Sequence, residues 1–386
     1  MGIVVGIFGF IVILIVLWDV FETIILPRRV SRKFRLARLY YRKSWMLLSA
    51  VARRMHPGKR RERYLGYFGP ISLLLLFVVW GIGQIVGFAM IHWAIGSRLH
   101  LAAGAPSFRT DLYFSGTTFF TLGLGDIAPQ TPLARAVTVL EAGTGFGFLA
   151  IVIGYLPVIY QAFSRREANI SLLDARAGSP PSATELLARH GRDHSIAYLS
   201  ELLKEWERWS AELLESHLSY PVLVYFRSQH ENQSWLAALT TILDTCSLII
   251  IGMEGAPVWQ AKMTFAMARH ALVDLAQVFN TPPRAPDPDR LSTHTLSDVR
   301  QSLTAAGLTP RDGDEVDRKL TELRKMYEPY VNSLAQFLFM TLPPWIHEGN
   351  AMDNWQTSAW ERNPMVFASS PAPVNDHDHS KQTSAD

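Results

Sequence analysis

The chain has 386 residues, 48% of them hydrophobic and 18% charged, a balance more apolar than a soluble protein of this length usually has. Its formal net charge of +3 is too small to argue for nucleic acid, and its single cysteine, Cys246, excludes an intrachain disulfide framework and fits a reducing compartment. The apolar excess sits in residues 1–162, while the remainder reads as a polar, helix-rich chain, so at least two domains are expected.

Residues 1–27 are almost continuously apolar from Gly2 to Leu26, long enough to cross a hydrocarbon core of roughly 30 Å. They lack a basic leader and a small-residue cleavage site, so they read as an anchor. Asp19 and Glu22, three apart, share a face near the far end, where they either pair with basic residues or sit at the interface. Residues 28–69 form a basic linker in which Arg28–Arg63 holds 14 Lys/Arg and one acid, Glu62. The positive-inside rule makes this linker cytoplasmic and puts the N-terminus outside. Anionic lipid is the partner such a stretch would contact if it does more than set topology.

Residues 70–163 contain two further spans, Pro70–Ile95 and Leu133–Phe163. Between them, a helix over Thr110–Phe120 would dip into the membrane ahead of Thr121-Leu122-Gly123-Leu124-Gly125-Asp126. Non-helical backbone at membrane depth survives only where protein buries it or water lines it. Gly123 and Gly125 permit left-handed backbone, and alternation with ordinary conformations can turn successive carbonyls to one side. Four such strands would stack oxygen rings that replace an ion's hydration shell, with the Thr121 hydroxyl as an inner ring. Asp126 would stand at the outer mouth, either concentrating cations or bonding the preceding helix.

This order of span, short helix, Thr-x-Gly-x-Gly-Asp and span resembles the pore module of potassium channels. Ser115, Thr118 and Thr121 share the spacing found before those filters, and Asp126-Ile127-Ala128-Pro129 resembles the Asp-x-x-Pro exit. The resemblance implies a filter at Thr121, Leu122, Gly123, Leu124 and Gly125, with potassium ions at Thr121, Leu122, Gly123 and Leu124. Most of the family has Val at the position of Leu122 and Tyr or Phe at that of Leu124, although leucine at the latter resembles second-pore filters of two-pore channels. One pore segment per chain implies a homotetramer. Ser115, Thr118 and Glu141 are expected to support the filter, Glu141 either hydrogen-bonding it from behind or neutralising a neighbour such as Arg135. Gly143, Gly147, Gly154 and Pro157 suit a hinge or lower gate in the third span, or else close packing.

Residues 164–345 read as a cytoplasmic helical domain, with helices over Thr184–Ser216, Asn232–Gly252, Val258–Phe279, Leu296–Ala306 and Asp314–Leu342. The run Leu236–Ile251 is apolar but short and contains Asp244, which favours a core helix over a fourth span. Trp206, Trp209, Tyr220, Tyr225, Phe226 and Trp235 form an aromatic zone, read as core or as a lipid- or ligand-facing pocket. His190 and His194 lack metal-site company, and Asp376–His379 is a loose candidate chelator at most. Residues 346–386 read as a disordered tail.

The expected fold is therefore an all-α membrane protein: three transmembrane helices, a re-entrant pore helix with a selectivity filter, and a cytoplasmic helical domain. The expected function is a potassium-selective channel in the cell membrane, a lipid-embedded homotetramer with no cofactor. Two alternatives stand beside it: a weakly selective cation channel, and a non-conducting sensor or scaffold. No paired carboxylates, nucleophile elbow or phosphate loop points to an enzyme.

Overall fold

The computed structural model describes residues 2–26, 35–96, 99–101, 107–192, 196–229 and 232–347. Residues 27–34, which include the start of the basic linker, lie outside the described residues, as do His194 and the tail from 348 onward, including Asp376–His379. Four helical segments among the described residues are long and apolar enough to cross a membrane: Gly2–Ile25, Lys59–Ala94, Pro132–Ala177 and Trp235–Gly252.

Helix α1 (Gly2–Val20) continues as one π-helical turn, Phe21–Ile25. It packs along α4 (Phe68–Ala94) through a glycine crossing. A Cβ on Gly9 would stand 2.6 Å from the Gly87 carbonyl, so only glycine allows the two backbones this close. The pair Asp19 and Glu22 turns out to be partnered. The Asp19 carboxylate accepts from the Ala37 amide at 3.0 Å and the Trp80 indole at 2.8 Å, and Glu22 lies 3.5 Å from the Arg35 guanidinium. Asp19 thereby caps α2 (Leu36–Ala52) and fixes the angle at which the chain leaves α1. The described part of the basic linker is largely helical, as α2 and α3 (Lys59–Gly66).

The next helix, α5 (Phe108–Phe119), starts two residues earlier than the sequence suggests because Ser107 caps it, accepting from the Thr110 amide. A short antiparallel pair, β1 (Leu99–Leu101) with β2 (Ile127–Pro129), is the departure from an all-helical expectation. It ties the chain after α4 to the segment beyond Gly125. Helix α6 (Pro132–Ala177) opens with Thr131 as cap and Pro132 in its first turn. Its 46 residues make it about 70 Å long, and it runs through Pro157 and past the expected end at Phe163.

The remainder is a helical unit: α7 (Ala183–Arg192), α8 (Leu199–Ser219), α9 (Trp235–Gly252), α10 (Val258–Val278), α11 (Thr293–Ala305), α12 (Asp314–Lys325) and α13 (Glu328–Leu338). The single helices expected over Thr184–Ser216 and Asp314–Leu342 are each broken in two. Every residue of α9 from Trp235 to Ile251 is buried, so this apolar helix is the axis of a bundle. Asp244 survives at that depth by accepting from Arg290 at 2.7 Å and from the Tyr327 hydroxyl at 2.5 Å. Arg290 and Arg324 also both bond Glu328, with the Trp345 ring beneath the two guanidinium groups. The aromatic zone lies inside: Trp206, Trp209, Tyr225, Phe226 and Trp235 are buried.

Candidate functional site

The stretch from α5 to the start of α6 is where backbone departs from regular structure in an otherwise helical neighbourhood. Two hydrogen bonds close the end of α5, from the Thr121 amide to the Thr118 carbonyl at 2.9 Å and from the Leu122 amide to the Thr117 carbonyl at 2.8 Å. The chain then alternates. Thr121, Gly123 and Gly125 take positive φ angles of 55°, 55° and 80°, whereas Leu122 and Leu124 do not. Two of these positions carry glycine, which adopts such angles without steric cost. At Thr121 a β-branched residue holds a conformation that such residues rarely adopt, which its residue type does not announce. Leu122 and Leu124 expose 61% and 63% of their surface, so the single chain leaves this segment uncovered.

Beyond the segment, Asp126 accepts from the Tyr113 hydroxyl at 3.1 Å, which joins it to α5. Arg135 donates to the Pro129 carbonyl at 3.1 Å. It is therefore not the partner of Glu141, one of the two roles considered for that carboxylate. Glu141 points instead toward α4 and α5. It is fully buried, with Oε2 3.3 Å from Nε2 of the equally buried His92, and Ser115 adjoins the same carboxylate. Ser115 and Thr118 are both buried on the back of α5. His92 is absent from any reading of the sequence because a lone histidine near the end of an apolar helix has no distinguishing spacing.

One turn beyond Glu141, a Cβ on Gly145 would fall 2.0 Å from the Phe119 carbonyl, so α6 seats directly on the end of α5 there. Gly143, Gly147 and Gly154 have open space where a Cβ would be, so close packing within the single chain does not explain them. Pro157 sits in continuous helix. Among the described residues no cluster of three or more His, Cys, Asp or Glu side chains is arranged to hold a metal ion.

At the far end of α6, Arg166 is buried and donates to the carbonyls of Leu223 at 2.9 Å and Phe226 at 2.8 Å. Its Nη1 also lies 3.3 Å from Nε2 of His217. Nδ1 of that ring is 2.8 Å from the Leu213 carbonyl, which assigns the proton to Nδ1 and leaves Nε2 as acceptor for Arg166. Burial and the neighbouring guanidinium push the His217 pKa down to about 3. The segment that Arg166 holds also wedges against α2 and α4, with Tyr225 4.8 Å from the Trp45 ring and 4.9 Å from the Phe68 ring.

Residues 75–161 match the family model described as Ion channel. The segment from the later part of α4 to the middle of α6 is thus similar to a potassium-channel-like pore module, and it lies in a chain with several helices apolar enough to cross a membrane. An uncharacterized membrane protein of Bacillus subtilis (strain 168), YdjJ, is 26% identical over 201 residues, which cover 50% of this chain and 56% of that protein. The chain thus spans little more than half the length of that relative. No solved structure matches the chain.

Proposed function

We propose that four copies of this chain form a potassium-selective channel whose filter is Thr121, Leu122, Gly123, Leu124 and Gly125. The observation that carries this reading is the alternation of left-handed and ordinary backbone at Thr121, Gly123 and Gly125, held by a short helix between two long apolar ones. Such alternation lets successive carbonyls share one side, where four chains together would coordinate a dehydrated cation. In this reading potassium ions occupy positions at Thr121, Leu122, Gly123 and Leu124, and no other cofactor is needed. Asp126, tethered by Tyr113, stands at the outer mouth. Ser115, Thr118 and Glu141 support the filter from behind.

The membrane arrangement follows from charge. Helices α1, α4 and the first part of α6 span the bilayer of the cell, with the N-terminus outside. The unit from α7 to α13 is cytoplasmic, its apolar α9 serving as core and not as a fourth span. The basic residues of Arg28–Arg63 lie at the inner leaflet, where α2 meets anionic lipid headgroups. Gating runs through α6, with bending at Gly143, Gly147, Gly154 or Pro157, and Arg166 connects its lower end to the cytoplasmic unit.

Ion flux from purified protein in liposomes tests the reading, with potassium and sodium gradients compared. Gly123→Asp puts a side chain where φ is positive and should abolish flux while tetramers persist. Equal potassium and sodium flux would support the weakly selective alternative, which Leu122 favours by replacing the family's Val and Leu124 by lacking the aromatic brace seen in most of the family. Absence of flux from intact wild-type tetramers under every gradient would favour the non-conducting sensor.

A further inference from the structure

The back of the pore helix carries three titratable groups for which carbonyl conduction has no use. His92 comes from α4, Asp111 from α5 and Glu141 from α6, and all three are buried. The His92 and Glu141 side chains are 0% exposed and 3.3 Å apart. Phe114 meets the His92 ring edge-on at 5.1 Å, and Asp111 lies within electrostatic reach of His92. Among the described residues, the neighbouring charged or titratable groups have partners or exposure elsewhere. Arg135 bonds Pro129, Tyr113 bonds Asp126, Arg109 is exposed, and Asp19 of α1 serves Trp80 nearer the opposite end of α4.

A buried carboxylate costs several kcal/mol unless it is paired or protonated. Two carboxylates and one imidazole share this site, so a proton gained or lost by one carboxylate changes its attraction to the imidazole. The location makes that attraction mechanical. Glu141 and Gly145 are four apart on one face of α6. Gly145 seats on the Phe119 carbonyl two residues before Thr121, while Glu141 reaches past Ser115 to His92 of α4.

We propose that His92 and Glu141 form a proton-carrying brace that clamps the pore helix between α4 and α6, so that proton uptake at this pair alters permeation. The proposal rests on the channel reading above. Proton uptake by Glu141 removes its charge, weakens its hold on His92 and frees the pore helix to shift against Gly145. His92 is a positioning residue, since it touches Glu141 and not the permeating ion.

The test uses full-length protein in potassium- and sodium-loaded liposomes, with external pH varied, and infrared difference spectra of the same samples. In the wild type, the ratio of potassium to sodium flux should change by at least about threefold between pH 8 and pH 5. A carboxylic acid C=O band should titrate in step. His92→Gln and Glu141→Gln should each flatten the flux profile, Glu141→Gln should delete the band, and the double variant should match either single one. Profiles unchanged in both variants, or a wild-type ratio independent of pH, would overturn the proposal. Failure of the channel reading looks different: no flux at any pH, with the titrating band still present in the wild type and absent in Glu141→Gln.

Discussion

Gly145 and Gly143 are two residues apart in α6 and face opposite circumstances. A methyl group at Gly145 would collide with the backbone carbonyl of Phe119, whereas one at Gly143 meets nothing. Gly145→Ala should therefore pry α6 from α5, costing about 1–3 kcal/mol and lowering the yield of assembled protein. Gly143→Ala should instead stabilise the helix by about 1 kcal/mol, because it removes glycine's backbone entropy. Thermal unfolding of both variants in detergent checks the pair, and equal destabilisation would contradict the packing seen here. His217 supplies a pH dependence of definite sign. In the folded chain it stays neutral down to about pH 3, held by burial and by Arg166. In the unfolded chain it takes up a proton near pH 6.5. Between those values the unfolded state binds the extra proton, so stability falls as pH falls, by up to about 1.4 kcal/mol per pH unit from this group. Melting temperatures measured from pH 7.5 to pH 5 should decline in the wild type and decline less in His217→Gln. A wild type whose melting temperature rises on acidification would contradict the assignment.

At the scale of elements, α6 connects the pore-like segment to the helical unit of α7 to α13, and Arg166 is one fastening of its later part. The guanidinium serves two carbonyls of one turn, Leu223 and Phe226, while the Trp209 indole donates to the Arg166 carbonyl at 3.3 Å. Lysine carries the charge but not the planar fork that reaches both acceptors. Arg166→Lys should cost about 1–3 kcal/mol in the melting of the whole chain, through a buried carbonyl left unserved. In flux assays it should also change the open fraction without changing the ratio of potassium to sodium. A shift in that ratio would mean that Arg166 acts on the filter and not on the gate. None of this was legible in the sequence, where Arg166 reads as one more positive charge closing an apolar run. Its acceptors lie 57 and 60 positions away on a turn without a motif. The helices themselves were legible because their signal is local: apolar periodicity, Ser and Thr caps, and Pro or Gly at the breaks. What escaped was long-range or backbone-borne, including the pairing of β1 with β2, the positive φ of Thr121 and the meeting of His92 with Glu141. A three-residue strand carries too little periodicity to be seen, and a lone histidine has no pattern until the fold supplies its partner.

For the whole molecule, the decisive property is incompleteness. One chain holds one Thr121–Gly125 segment, with Leu122 and Leu124 more than half exposed, and α6 leaves Val139, Phe146 and Ile153 about 70% exposed. Lipid can cover apolar side chains, but it cannot satisfy the polar backbone of a loop at membrane depth. The ring of carbonyls proposed for the filter therefore needs further copies around a closed axis. Fourfold closure predicts a native mass near four times 43.4 kDa in detergent. It also predicts how conduction responds to mixing. If one Gly123→Asp subunit blocks a pore, equal co-expression with wild type should leave about 6% of the flux when four subunits assemble at random, against about 25% for a dimer. The residual flux thus counts subunits functionally, independently of mass. A residual near half would mean that each chain conducts alone, which would sink the shared-filter reading while leaving the fold of each chain untouched.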